Sequence, residues 1–250
     1  MRRGTYSIVA QDHATGELGV AVQSHWFSVG SVVAWARPGV GAVATQSVAE
    51  VAHGPNTLDR LAQGEGFSCQ ANMMARAGVA TAMAAGFTAS EGDLAERLLL
   101  ALEAGEAAGG DVRGRQSAVL LVVPVSGEPW RTRFDVRVED AAEPLWELRR
   151  LVRLARAYEM AGEADERAAL GEHGEASRLY LAASELAPEA DELIFWAGLG
   201  VAAEDLAAGL VLVRPAIAKK PAWSALLERL SEELAPSAGA VRAALGHEPS

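Results

Sequence analysis

Apolar residues in the first part of the chain occur in short runs that are rich in β-branched residues, a pattern typical of strands. Turn-forming residues separate the runs, among them residues 12–17 and Arg37-Pro38-Gly39. The first four runs are joined by tight turns and predict an antiparallel sheet. The runs before residue 140 are residues 6–10, 18–24, 31–36, 41–45, 117–125 and 133–138.

Helical spacing of apolar residues occurs twice in this part, over residues 56–63 and 93–108. Ser90 is the expected N-cap of the second helix, and Gly109-Gly110 its expected end. After Pro144 no strong strand pattern occurs, and the chain predicts helices over residues 145–160, 173–186, 191–203, 205–218, 222–234 and 239–245. The pattern therefore predicts an α+β domain at residues 1–143 and an all-helical domain at residues 144–250.

The helical part contains a loose internal repeat. Pro188 and Pro221 are 33 residues apart, close to the tetratricopeptide period of roughly 34 residues. Residues 174–188 resemble the second helix and closing proline of that repeat. Two to three tetratricopeptide-like repeats are expected, and an ordinary helical bundle is the alternative interpretation.

Composition and charge exclude several classes of function. The 250 residues carry 33 acidic against 22 basic side chains, a net charge of −11 that repels nucleic acid and anionic membranes. Cys69 is the only cysteine, so no intrachain disulfide is possible, and a reducing, cytoplasmic location is expected. The apolar run at the N-terminus is too short for a signal sequence. Because no metal-ligand spacing, phosphate loop or cofactor fingerprint occurs, neither metal nor cofactor is predicted.

The pair Gly4-Thr5 at the head of the first predicted strand is the most informative chemical feature. A threonine at the chain terminus can act as its own catalyst, with the hydroxyl as nucleophile and the free α-amine as base. The ordinary pKa of an α-amine is near neutral, which suits this role. Such a threonine must be liberated by cleavage, and a preceding glycine favours the backbone geometry of self-cleavage. Taken alone, the pair is more often the ordinary start of a strand.

The surrounding residues resemble a bacterial and archaeal family of unknown function that is assigned to the N-terminal-nucleophile (Ntn) hydrolase superfamily. The similar segments follow the order of that family over roughly residues 5–155. At the position of Ala71 the family usually has glycine. The segments are residues 5–10, 16–24, 29–37, 39–46, 54–58, 66–74, 94–99, 107–111, 113–118 and 135–138.

The resemblance implies an αββα sandwich and amide-bond hydrolysis with Thr5 as the nucleophile. Residues 1–4 must then be removed, or the true start must lie later than Met1. Two departures from the superfamily stand out. The first domain contains no lysine, since the only lysines are Lys219 and Lys220. Between Gly64 and Gly66 the family has several tens of further residues, so the sandwich is expected to be shortened by one hairpin, by natural deletion or by a gap in the chain as written.

The remaining candidate site residues follow from this expectation. For the catalytic step we expect Ser24 beside the nucleophile and His25 near the amine. The turn at Gln46 is expected to supply backbone N–H donors to the oxyanion, as the superfamily implies. Each has a structural alternative: a strand serine, a histidine at a strand end, and a plain strand-to-helix turn. For substrate binding we expect Arg37, Asn72 and Arg115. Asn72 orients the substrate or only ties down a loop, and Arg115 pairs with a substrate carboxylate or equally holds a subunit interface.

Three functions are compatible with the sequence. The first is an Ntn-type amidohydrolase that cleaves a small amide or peptide-like bond, with the helical repeats serving docking or homo-oligomerisation. The second is a non-catalytic interaction or scaffold protein, with a degenerate Ntn fold and helical repeats that bind a partner peptide. A weaker third is a purely structural assembly subunit that pairs through an open sheet edge. The substrate is expected to be a small molecule or peptide, and binding to nucleic acid or membranes is not expected.

Overall fold

The first part of the structure contains two antiparallel sheets with helices against them. The computed structural model describes residues 5–46, 50–65 and 77–246, and the chain divides between residues 152 and 153 into two units. In chain order the elements of the first unit are β1 (Thr5–Gln11), β2 (Leu18–Ser24), α1 (Gly30–Val33), β3 (Ala34–Arg37), β4 (Gly41–Ala44), α2 (His53–Ala62), α3 (Val79–Ala89), α4 (Leu94–Ala107), β5 (Ser117–Val123) and β6 (Phe134–Val138).

The strands form two sheets rather than one. A four-stranded sheet has the order β1-β2-β5-β6, and β3 pairs with β4 in a separate two-stranded sheet. The expectation that the first four strands share one sheet is therefore wrong. The place beside β2 is taken by β5, which is buried along its whole length and therefore favours a central position.

A short helical turn carries the chain from the first sheet to the second. The first half of the strand predicted over residues 31–36 is wrong, because residues 31–33 lie in α1 instead. The Val33 N–H donates to the Val29 carbonyl at 3.1 Å, and the Ser31 hydroxyl donates to the Ser28 carbonyl at 2.8 Å. These local hydrogen bonds outweigh the strand propensity of the β-branched residues in this segment.

The described elements of the first unit stack in four layers. Helices α3 and α4 pack together, α4 lies against one face of the larger sheet, β3 and β4 lie against its other face, and α2 packs on β3 and β4. Valines and leucines fill the space between the sheets, among them Val20, Val22 and Leu121. On the helical side, a Cβ added to Gly19 would come 2.5 Å from Leu98 Cδ1. The glycine therefore lets α4 approach β2 closely.

Helix α4 begins and ends at polar and glycine signals. Its N-cap is Asp93, whose carboxylate accepts from the Glu96 N–H at 2.9 Å, and not Ser90 as predicted. The Ser90 hydroxyl instead donates to the Gly86 carbonyl at the end of α3. The helix ends at Gly109-Gly110 as predicted, with Gly109 at φ 112°, a left-handed backbone that favours glycine.

Among the residues that the structure describes, the second unit consists of helices joined by turns and irregular segments. Its helices are α5 (Pro144–Ala169), which begins in the first unit, α6 (His173–Leu186), α7 (Asp191–Glu204), α8 (Leu206–Lys219), α9 (Ala222–Leu227) and α10 (Ala238–Gly246). Helix α7 packs against both α6 and α8. Within residues 5–46, 50–65 and 77–246, no helix combines the length and apolar character needed to cross a membrane.

Two of these helices differ from their predicted lengths. Helix α5 continues well beyond residue 160, and α9 ends at Leu227 rather than at residue 234. The Arg242 guanidinium donates to the Leu227 carbonyl at 2.7 Å and to the Leu230 carbonyl at 3.1 Å. A distant side chain therefore caps these carbonyls, which no local pattern at residues 222–234 reveals.

Candidate functional site

Two hydroxyl groups meet where β1 begins. In the antiparallel pairing of β1 with β2, Thr5 lies opposite Ser24, and the two side chains share one face of the sheet. The Thr5 Oγ1 and Ser24 Oγ atoms are 2.9 Å apart, a hydrogen bond in which either hydroxyl can donate. Ser24 is fully buried, whereas Thr5 is partly exposed. The structure therefore places one accessible and one buried hydroxyl in direct contact.

Gln46 approaches the same face of β1 from the second sheet. It follows β4, and its side-chain amide donates from Nε2 to the Ser7 Oγ. Ser7 lies two residues beyond Thr5, so the two side chains point the same way. The structure thus brings Thr5, Ser7, Ser24 and Gln46 to one end of the space between the sheets.

The backbone before Gln46 is held in place by Thr45. The Thr45 N–H donates to the Val33 carbonyl at 2.9 Å, and its hydroxyl donates to the Val32 carbonyl at 2.6 Å. The Thr45 N–H is therefore engaged within the fold and does not point to a reacting oxygen. Ser47, which follows Gln46 in the predicted oxyanion turn, lies outside the described residues.

A third hydroxyl continues the row on the next strand. Ser117 lies opposite Ser24 in the pairing of β2 with β5 and is fully buried. Its hydroxyl donates to the Trp26 carbonyl and accepts from the Val29 N–H at 3.2 Å. The Gln116 N–H donates to the Ser24 carbonyl at 2.8 Å. These bonds fix the chain on both sides of residues 25–28, a role that the sequence analysis missed although Ser117 stands alone at the head of an apolar strand.

His25 follows Ser24 directly, but its side chain is exposed. A Cβ added to Gly114 would come 3.6 Å from His25 Nδ1, so the ring lies beside the loop that precedes β5. Among the described residues, the hydrogen bonds of Thr5 do not include His25. The structure therefore places His25 next to the candidate site in the chain without joining it to Thr5.

Arg37 lies at the other end of the sheets. It pairs with Gly41 beside the turn that joins β3 to β4, whereas Gln46 follows the opposite end of the same hairpin. Its guanidinium forms an ion pair with Asp59 at 2.9 Å. A Cβ added to Gly39, in the turn, would come 3.1 Å from the Val125 carbonyl, beyond the far end of β5. The structure does not bring Arg37 and Thr5 together.

Arg115 is engaged by carboxylates on the other side of β1. It forms ion pairs with Glu106, at 3.1 Å, and with Glu143, and its Nε donates to the Ala142 carbonyl at 3.2 Å. Glu106 in turn accepts a hydrogen bond from the Tyr6 hydroxyl at 2.8 Å. Asn72, the third residue expected to bind substrate, lies outside the described residues.

Tyr6 is a site residue that sequence reasoning missed. Its phenol is buried, and burial together with the hydrogen bond to Glu106 holds its pKa far above the ordinary value of 10.0. The strand alternation around Thr5 shows that Tyr6 points to the helical layer, but the partner is 100 residues away in the chain. Among residues 5–46, 50–65 and 77–246, no group of three or more His, Cys, Asp or Glu side chains is arranged to hold a metal ion.

Residues 5–68 and 62–148 match the model of a family described as "Family of unknown function (DUF1028)". A crystal structure of protein SPO2555 from Silicibacter pomeroyi, described under the same family, is similar to this chain with a TM-score of 0.53 and 23% sequence identity. The similarity covers 61% of this chain and 89% of the other. At this identity it shows a shared fold and nothing further. No curated protein is significantly similar to this chain.

Proposed function

The chain belongs to the family of unknown function DUF1028, and on this basis we propose that its first unit is an Ntn-type amidohydrolase with Thr5 as the nucleophile. The observation that carries the proposal is the hydrogen bond of 2.9 Å between the hydroxyls of Thr5 and Ser24 at the head of β1. At this position the neighbouring Ser24 hydroxyl holds the Thr5 Oγ1 atom in one orientation. Cleavage of the bond between Gly4 and Thr5 would add the α-amine as its base.

The layer order supports the same proposal. Helices, sheet, sheet and helix succeed one another in the first unit, which is the order of the αββα sandwich that the superfamily resemblance implies. The match to the family is in two parts that overlap at residues 62–68, the place where the sequence analysis finds a missing hairpin. Both observations favour a shortened Ntn sandwich. In this shortened form, β1 and β2, the strands that carry the proposed catalytic residues, are retained.

The proposed reaction uses the residues of the site in distinct roles. The α-amine of a liberated Thr5 takes the proton of its own hydroxyl while Oγ1 attacks the amide carbon of the substrate. The C–N bond then breaks, the departing amine takes that proton, and an acyl ester remains on Thr5. Water hydrolyses the ester, which releases the acid and restores the hydroxyl. In this proposal Ser24 orients Oγ1, and Gln46 supplies a hydrogen-bond donor to the developing oxyanion.

The proposed role of the second unit is to bind a partner or a second copy of the chain. Helices α6, α7 and α8 pack in succession, as stacked helical repeats do, and this favours the tetratricopeptide-like interpretation. In the alternative function, the Ntn-like unit is a scaffold without catalysis and the helices provide the binding surface. An intact bond between Gly4 and Thr5 in the mature protein would favour that alternative.

Acylation by p-nitrophenyl acetate tests the proposal without knowledge of the natural substrate. We expect a burst of p-nitrophenolate and one acetyl group on Thr5, located by peptide mass mapping. Thr5→Ala should abolish both, and Thr5→Ser should retain them. Thr88→Ala is the matched control, because Thr88 is an exposed threonine whose hydroxyl bonds only to a carbonyl of its own helix. Equal acetylation of the wild type and Thr5→Ala would refute the proposal.

A further inference from the structure

The residue that follows the proposed nucleophile is anchored on the opposite side of the sheet. Tyr6 is 1% exposed, and its hydroxyl donates to Glu106 Oε2 at 2.8 Å. Two glycines flank the ring: a Cβ added to Gly105 would come 3.2 Å from Tyr6 Cε2, and one added to Gly110 would come 3.4 Å from Cε1. The ring is therefore confined at both edges by the last turn of α4 and the residues that follow it.

The carboxylate that receives the phenol is itself held from its other side. Arg115 Nη1 donates to Glu106 Oε1 at 3.1 Å, while the same guanidinium binds the Ala142 carbonyl and the Glu143 carboxylate. The chain Tyr6–Glu106–Arg115 thus joins β1, α4 and the two loops that flank β5 and β6. Each oxygen of Glu106 has a donor, so the carboxylate is fixed in orientation.

We infer that Tyr6, Glu106 and Arg115 form a clamp that holds Thr5 in register for the chemistry of the proposed hydrolase. The inference rests on the proposed function. Adjacent strand residues point to opposite faces, so Tyr6 does not reach the substrate and acts through Thr5 as a positioning residue. Thr5 is the first residue of β1, and the ends of strands are the segments that open most readily. A buried, hydrogen-bonded ring one residue further along opposes that opening.

Tyr6→Phe tests the clamp because it removes one hydroxyl and keeps the ring. The matched control is Tyr180→Phe, since the Tyr180 hydroxyl likewise donates to a carboxylate, that of Asp165 in the helical unit. Amide hydrogen exchange is measured by mass spectrometry on peptides that cover β1 and β5. In Tyr6→Phe we expect exchange in β1 to rise about tenfold, with β5 unchanged, because a hydrogen bond to a charged group is lost. Tyr180→Phe should leave both strands unchanged.

The same variants are then compared in acylation by p-nitrophenyl acetate. Displacement of a nucleophile lowers the rate of the chemical step more than it weakens binding. We therefore expect the acylation rate at saturating ester to fall about tenfold in Tyr6→Phe, while the ester concentration for half-maximal rate changes less than about twofold. Glu106→Gln keeps an acceptor for the phenol, so its acylation rate should lie between the rates of Tyr6→Phe and the wild type.

The two measurements separate failure of the clamp from failure of the hydrolase. Unchanged exchange in β1 of Tyr6→Phe would overturn the clamp, whatever the activity. Faster exchange with an unchanged acylation rate would overturn its positioning role. If the wild-type chain begins at Thr5 but shows no acylation, and Tyr6→Phe still loses protection in β1, the proposed function is refuted and the clamp is upheld.

Discussion

The row of hydroxyls across β1, β2 and β5 allows catalytic and structural effects to be separated by two matched substitutions. Ser24→Ala removes the hydroxyl that bonds to Thr5, and Ser117→Ala removes its neighbour on the next strand. Both serines are fully buried, and each substitution deletes a single oxygen atom. Only Ser24 contacts the proposed nucleophile; Ser117 bonds to the backbone of the loop between β2 and α1.

We expect Ser24→Ala to lose more activity than Ser117→Ala, and Ser117→Ala to lose more stability than Ser24→Ala. The bond between Ser24 and Thr5 is worth about 1 to 1.4 kcal/mol, which corresponds to roughly a fivefold to tenfold loss of acylation rate if it orients the nucleophile. In Ser117→Ala the Val29 N–H, a buried donor, loses its acceptor, at a cost of about 1–3 kcal/mol. For a chain of this size each kcal/mol lowers Tm by about 2–4 °C.

Thermal unfolding and burst kinetics with p-nitrophenyl acetate measure the two quantities on the same samples. Ser24→Ala should lose more acylation rate than Ser117→Ala, while Ser117→Ala should have the lower Tm. A Ser24→Ala variant that acylates at the wild-type rate would refute the role of Ser24 at the nucleophile. Equal losses of rate in both variants would show that the effect is a general consequence of weakened packing.

Three further predictions concern residues around the site. Arg37→Ala breaks an exposed ion pair with Asp59, so we expect a stability loss of about 0–1 kcal/mol in urea titration and unchanged acylation; a loss of acylation would contradict its placement away from Thr5. Gly54→Ala places a methyl group in steric overlap with the Trp35 indole and should lower stability by about 1–3 kcal/mol; an unchanged urea midpoint would contradict the packing of α2 on β3. The pKa of Tyr6 is raised in the folded state, so its stabilising contribution is complete below pH 10 and falls by about 1.4 kcal/mol per pH unit above it. The Tyr6 phenol should therefore add to the tyrosinate absorbance of the wild type, relative to Tyr6→Phe, only once the wild type unfolds in alkali. Ionisation of Tyr6 near pH 10 in the folded protein would contradict its burial.

Local patterns in the sequence predict much of the secondary structure. The hairpin of β1 and β2, helix α4 and the helices after Pro144 follow from residues that are near one another in the chain. Pairing between distant segments is not encoded in this way. β5 lies beside β2 because its uniformly apolar residues fill the sheet centre, and the sequence around residues 31–36 does not show that this position is taken.

The candidate site was predictable where it follows from neighbouring residues and not where it depends on tertiary contacts. Ser24 was expected beside Thr5, and the pairing of two adjacent strands is enough to place it there. The engagement of Arg115 by Glu106, and of Arg37 by Asp59, depends on which surfaces the fold brings together. The sequence does not distinguish an arginine that is free to bind substrate from one that is held in an ion pair. The ion-pair partners of Arg37 and Arg115 therefore could not be assigned before the fold was known.

The central claim is that a liberated Thr5 carries its own base, and intact-mass analysis before and after periodate oxidation tests it most directly. Periodate cleaves an N-terminal threonine, whose amine and hydroxyl lie on adjacent carbons, and leaves internal threonines intact. We predict a mature chain that begins at Thr5 and whose terminus periodate converts to a glyoxylyl group: the side chain leaves as acetaldehyde, the amine leaves as ammonia, and an aldehyde oxygen is gained, with Thr5→Ala resistant. A folded wild-type chain that retains residues 1–4 and is unchanged by periodate would contradict the account.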